Sequence, residues 1–180
     1  QSPKRPEWPC GDVVAYGRSE AATTVVCADG IGSGIHAHIT AEFCAGRLLE
    51  SLRLGTSLRQ AVASVVRSME RNREPGGVFA AFTVARILND GMTTVLAYEA
   101  PPPLLLGRRH AALIPPRPVE LGGALVSEFE CFLEPGDGLL LTSDGITQAG
   151  LGHGMAQGWQ AEGVLRYVNS CLTDGLSPRE

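Results

Sequence analysis

Apolar residues recur along this chain in two rhythms. Short apolar runs in Asp12–Tyr16 and Thr23–Ala28 predict a strand pair joined by the polar stretch Gly17–Ala22. A helical spacing then takes over. Ile35, Ile39, Cys44, Leu48 and Leu52 fall along one side of a helix predicted from near Gly34 to about Leu54. A second helix follows: Ser57 and Gln60 form a capping-box pattern, and Leu58, Ala61, Val62, Val65, Val66 and Met69 supply its apolar face. Arg67, Arg71 and Arg73 suit its C-terminal end as a solvated face, and Pro75-Gly76-Gly77 stops it. Val78–Leu88 and Met92–Tyr98 read as strands around the turn Asn89-Asp90-Gly91. Leu104–Leu106 and Ala111–Ile114 predict a further hairpin over Gly107–His110. Phe129, Cys131 and Leu133 alternate with Glu128 and Glu130, which predicts a strand with one wet face. A last helix is expected over about Trp159–Leu172, with Val164, Leu165, Val168, Cys171 and Leu172 on one face.

Strands, two successive helices, many strands and one helix make an α+β pattern with antiparallel sheets, not the alternation of a doubly wound fold. The chain has 180 residues, of which 44% are hydrophobic, enough for one packed domain. Residues 1–10 are expected to be a flexible lead-in and 11–180 a single domain. A net charge of -4 argues against nucleic acid as a partner. No apolar run approaches the roughly 18 residues of a membrane span. The five cysteines are scattered, without a Cys-x-x-Cys pair, and read as reduced residues of a cytoplasmic protein.

The candidate chemistry lies at two seams where an apolar run ends in Asp-Gly: Thr24–Gly30, continued by Ile31-Gly32-Ser33-Gly34, and Leu139–Gly145. Both read as buried strands with a carboxylate at the end and a glycine that lets the backbone turn. Gly11-Asp12 opens a third strand. Asp12, Asp29 and Asp144 together would form the oxygen-rich cluster that hard divalent cations prefer.

Gly11-Asp12, Asp29-Gly30-Ile31-Gly32-Ser33-Gly34, and Pro135-Gly136-Asp137 leading into Thr142-Ser143-Asp144-Gly145-Ile146-Thr147 occur in an order that resembles the metal-dependent serine/threonine phosphatases of type 2C. The likeness is greatest to the bacterial branch of the sporulation stage II E phosphatase and the stress-response phosphatases. It implies a central β-sandwich of two antiparallel sheets flanked by helices, with two Mn2+ or Mg2+ ions at one end. It implies hydrolysis by metal-activated water without a phosphoenzyme. By matching position, Asp29 bridges the metals, the Gly30 carbonyl ligates one, Asp144 holds the other, and Asp12 ligates directly or through water. The implied partner is a phosphorylated bacterial regulatory protein, such as an anti-sigma-factor antagonist or a stress-complex scaffold, recognised by loops such as Gly145–Gly158. The competing expectation is a pseudophosphatase that binds such a partner without turnover.

Three departures from the family pattern are visible. Ile31 stands where eukaryotic members carry a histidine able to protonate the leaving group. The family's late Asp pair has no match after Leu172, and Ser177-Pro178-Arg179-Glu180 is a helix start with no helix behind it, so the chain is expected to be truncated at its C-terminus. No arginine is assignable to the phosphate; Arg18 is near the right strand but has no motif behind it. Two other motifs are set aside. His36 and His38 sit two apart on a helix, about 200° around, and so do not chelate one ion. Gly32-x-Gly34-x-x-Ala37 fits a dinucleotide fingerprint, but Asp29 would repel a pyrophosphate and the next element is a second helix.

Overall fold

The computed structural model describes residues 9–73, 77, 79–151 and 156–174. Expectations for Pro75-Gly76, Val78, His153 and Ser177–Glu180 lie outside those residues. β1 (Asp12–Arg18) pairs with β2 (Ala22–Gly30), β2 with β3 (Ala80–Leu88), and β3 with β4 (Met92–Tyr98). After β5 (Leu104–Leu106) and β6 (Ala111–Leu113), β7 (Arg117–Leu121) and β8 (Ala124–Phe132) complete a six-stranded sheet of order β1-β2-β3-β4-β8-β7. β9 (Gly138–Leu140) joins β5 and β6 in a three-stranded sheet of order β6-β5-β9. Every strand pair between described residues is antiparallel, which excludes a dinucleotide-type βαβ unit there.

Alternation along β2 decides what lies on each side of the large sheet. Ala22, Thr24, Val26, Ala28 and Gly30 are buried on one face, and the residues between them are half-buried on the other. The first face is covered by α1 (Ile35–Arg53) and α2 (Leu58–Glu70), over a core that includes Val26, Leu48, Val62, Val66, Phe82 and Leu96. The second face packs on the small sheet through Ala85, Val95, Ala97 and Phe129 against Leu105 and Leu139. The expected sandwich of two antiparallel sheets flanked by helices is therefore present. α3 (Asp144–Thr147) is one helical turn, and α4 (Gln160–Thr173) lies outside the small sheet. There Asn169 accepts from the Ala111 amide at 2.8 Å and donates to its carbonyl at 3.1 Å.

α2 matches its pattern: all six apolar positions are buried, and Ser57 caps the helix by accepting from the Gln60 amide. Four expectations differ. On α1 the buried stripe is Ala37, Ala41, Cys44, Ala45 and Leu48, while Ile35 and Ile39 are exposed. The reason is close approach. A Cβ at Gly30 would lie 1.9 Å from the Ala37 carbonyl oxygen, so only small residues fit beneath this helix. Glu128 does not face water but is 1% exposed. It is held by Arg59 at 2.8 and 2.7 Å and by Arg117, its register partner on β7. β9 ends at Leu140, so Asp144 is not the end of a buried strand; it is exposed and opens α3. Finally, Arg73 is not simply solvated. It bridges Glu70 and Glu99 and lies over the Phe79 ring.

The Glu128 cluster carries a stability prediction. The hydrogen bonds from Arg59, then Arg117, hold its carboxyl below the ordinary glutamate range. Such a group stabilises the fold above the unfolded pKa and loses that contribution as pH falls through the folded value. Both arginines are half exposed, so Glu128→Gln leaves them hydrated and is expected to cost about 2 kcal/mol at pH 7. Denaturant melts of both proteins should show that difference shrinking below about pH 4. An unchanged difference at low pH would contradict the assignment.

Candidate metal centre

The centre is built at one end of the large sheet. Asp12 and Asp29 are direct register partners across β1 and β2, and the ladder continues one step through the Gly30 amide, which donates to the Gly11 carbonyl at 3.2 Å. Because Val13 is buried under the helices, Asp12 points away from them, as Asp29 does. Both carboxylates therefore stand on the face that meets the small sheet. Asp144 arrives from the loop after β9 and lies near enough to Asp29 to raise its proton affinity. Ser143 occupies the N-cap of α3 but makes no capping bond there. Its hydroxyl donates instead to Asp12 Oδ2 at 3.2 Å. Gln148 Nε2 donates to Asp144 Oδ2 at 3.0 Å.

Asp29 sits between its two neighbours. Burial first, then the charge of Asp12, then the neighbouring Asp144, push its pKa up to about 7. Cys27, two residues back on the same face, is raised to about 11 by burial and then by Asp12 and Asp29. Beside these carboxylates is a cavity of about 210 Å³ lined by β2, β3, the segment after β4 and the loop after β9. Its walls include Ile31, Pro101 and Thr142, and its charged lining residues are Asp29, Glu99 and Asp144; none is basic. The Thr83 hydroxyl also lines it, buried and without a hydrogen-bond partner.

The donors at this end are carboxylates and the Gly30 carbonyl, a set that suits Mg2+ or Mn2+. Among the described residues no three His, Cys, Asp or Glu side chains are arranged to close around an ion. Asp12 and Asp144 both act on Asp29, and a donor set that does not close by itself would leave a cation several waters. All four residues singled out from the sequence thus lie at one sheet end. Arg18 does not: it ends the seven-residue β1, about 20 Å from Asp12. His36 is exposed, while His38 Nδ1 lies 2.8 Å from the Cys10 carbonyl oxygen. The bonds of Ser143 and Gln148 had no signature in the sequence, because they depend on how the α3 turn docks.

The sequence matches the family described as Stage II sporulation protein E (SpoIIE) over residues 19–179. No curated protein matches the chain closely. In structure it resembles the RsbU and RsbW domains of Rv1364c from Mycobacterium tuberculosis, with 22% identity over 78% of this chain and 41% of that one, and a TM-score of 0.67. It resembles the PP2C phosphatase domain of SpoIIE from Bacillus subtilis, solved with a fragment of its regulatory domain, with 18% identity over 76% of this chain and 41% of that one, TM-score 0.66. RsbX in complex with magnesium has 15% identity over 94% of this chain and 84% of that one, TM-score 0.64. The chain therefore spans under half the length of the first two.

Two outcomes are expected from the carboxylate packing. Without metal, folded Asp29 keeps its proton to about pH 7, whereas an unfolded Asp releases it near pH 4. The unfolded chain then binds fewer protons in that window, so stability falls as pH rises through it. Melting in EDTA should show this fall, and Asp29→Asn should flatten it and melt about 2–4 °C above the parent at pH 8. Identical slopes would contradict the packing. Gly30→Ala should cost roughly 2–4 kcal/mol, because the new methyl meets backbone that has no rotamer to yield. A denaturant midpoint within error of the parent would show that α1 moves freely at this point.

Proposed function

The chain belongs to the stage II sporulation protein E family, and from that we propose that it is a metal-dependent protein serine/threonine phosphatase. The observation that carries the reading is the convergence of Asp12 and Asp144 on Asp29 beside a cavity without a basic lining residue. A phosphate ester is dianionic and would meet the Asp29 and Asp144 carboxyls there with no basic lining residue unless cations were held. Two Mn2+ or Mg2+ ions would supply that charge and the activation of water. Asp29 would be the shared ligand, with Asp12, Asp144 and the Gly30 carbonyl beside it. Ser143 and Gln148 fix the orientation of the two flanking carboxylates. Ile31, Pro101 and Thr142 form the walls against which a phosphoserine or phosphothreonine side chain would lie.

The substrate we infer is a phosphorylated bacterial regulatory protein in the cytoplasm, such as an anti-sigma-factor antagonist or a stress-complex protein. The supports are family membership and the position of the α3 turn at the cavity, where a docked protein would reach it. No helix among the described residues is long and apolar enough to cross a membrane. A second reading, a pseudophosphatase that binds the same partner, draws on the open ligand arrangement.

Mn-dependent release of phosphate from a phosphoserine protein separates the two readings. Asp29→Asn and Asp144→Asn should each lower turnover by about 100-fold or more, with folding retained. Partner binding without turnover would favour the second reading. Ile31 has no proton to give, so turnover should rise steeply as the leaving-group pKa falls, aryl phosphates outrunning alkyl ones. Ile31→His should speed alkyl esters by roughly 10-fold or more and flatten that dependence. Equal rates on aryl and alkyl esters in the parent would show that another group supplies the proton.

A further inference from the structure

At the opposite end of the large sheet from Asp12 and Asp29 is a second polar cavity, of about 380 Å³, between the sheet and the C-terminal half of α1. Arg18, Arg53 and Arg86 line it with one acidic residue, Glu50, but Arg18 has the strand parity of Asp12 and stands on the other face of β1. Arg53 is fully engaged, with Nε and Nη2 each 2.8 Å from a Glu50 oxygen. Arg18 and Arg86 have no ion pair or side-chain hydrogen bond among the described residues. Glu128 and Glu130 are near Arg86 across a neighbouring hollow, but Arg59 and Arg117 already hold Glu128, and Arg117 lies 3.8 Å from Glu130.

The backbone register explains why these groups share one space. Gly17, Thr24 and Arg86 are lateral partners across β1, β2 and β3. Gly17 contributes no side chain, which opens the floor. Thr24 is only 8% exposed, yet its hydroxyl has no bonded partner and borders the cavity. The Arg86 guanidinium is half-buried and has no counter-charge, which favours an anion beside it. In a chain whose net charge is -4, an excess of positive charge at one cavity is a local feature. The remaining walls include the apolar Ala22, Leu49 and Leu52, and Ser19, whose hydroxyl is taken by the Ala22 backbone.

We propose that this cavity binds a small organic oxoanion, with its phosphate or carboxylate on Arg86 and Thr24 and its apolar portion against Leu49 and Leu52. Arg86 supplies charge-assisted hydrogen bonds, and the Thr24 hydroxyl donates to the same group. The volume is in the range of ordinary small-molecule sites. The site is separate from the carboxylate end and does not depend on the phosphatase reading.

The test is calorimetric titration of the full chain in EDTA, so that metals do not hold the probe at the other end. The probes are phenylphosphonate, benzoate and inorganic phosphate. Phenylphosphonate or benzoate should bind with a Kd of about 0.1–1 mM, and inorganic phosphate more weakly for want of the apolar contacts. The stronger of the two aromatic probes identifies the preferred oxoanion. Arg86→Gln should weaken binding at least 10-fold, with Thr24→Val costing about 3-fold. Asp29→Asn should leave binding unchanged. If Arg86→Gln does not fold, the near-isosteric Thr24→Val still decides the matter. No saturable binding, binding untouched by these changes, or binding lost in Asp29→Asn would overturn the proposal. Inorganic phosphate binding as tightly as the aromatic probes would mean an adventitious ion only, and would also overturn it.

Discussion

Asp12 and Asp29 are held directly across a strand pair, where like charges raise the energy of a sheet. The arrangement at this end of the molecule follows from that enforced proximity. Neither residue can relax by slipping. Val13, Val26 and Ala28 fill the core beneath the helices, and a shift of one residue would exchange them for Asp12, Cys27 and Asp29. Hydrophobic burial on one face therefore fixes the charge pattern on the other. Gly30 removes the last freedom, because its missing side chain lets the Ala37 backbone close over the strand end. Asp144, brought in by the α3 turn, adds a third carboxylate to a site whose cavity offers no basic side chain in return. Burial first, and then that imbalance, raise the proton affinity of Asp29, and a bound cation would offset both.

Much of this was legible in the chain. The α2 stripe, the Asn89-Asp90-Gly91 hairpin and the short alternations of the strands use standard periods and turn chemistry, so their elements and faces could be read directly. Gly11-Asp12, Asp29-Gly30 and Asp144-Gly145 could be tied to one sheet end by their order and by the family they resemble. What failed was whatever depended on a partner surface. The α1 face was assigned by residue size, whereas close packing against Gly30 selects alanines and leaves Ile35 and Ile39 outside. The alternation that marked Glu128 as wet was genuine, but α2 covers that strand face and two arginines from distant segments neutralise the carboxylate. β7 was not foreseen, since Pro118 and Glu120 dilute its pattern and its pairing with β8 supplies what propensity lacks.

The large sheet thus has chemically opposite ends. One gathers carboxylates beside a small cavity; the other gathers guanidiniums beside a larger one. α1 runs along both, touching Gly30 through Ala37 and lining the basic cavity with Leu49, Glu50 and Arg53. An arginine sought for the phosphate, Arg18, belongs by geometry to the second end. Strand register separates the two ends, because residues that alternate along one strand are carried to matching places on its neighbours.

Burial and the neighbouring carboxylates raise the proton affinity of Asp29, so a cation that binds this cluster must displace a proton from it. Calorimetric titration with Mn2+ in buffers of different ionisation enthalpy counts that proton directly. About one proton per chain should be released near pH 6, falling toward zero by about pH 8, because the folded carboxyl titrates near 7. Mn2+ binding with no proton release at pH 6, or no Mn2+ binding at all, would contradict it.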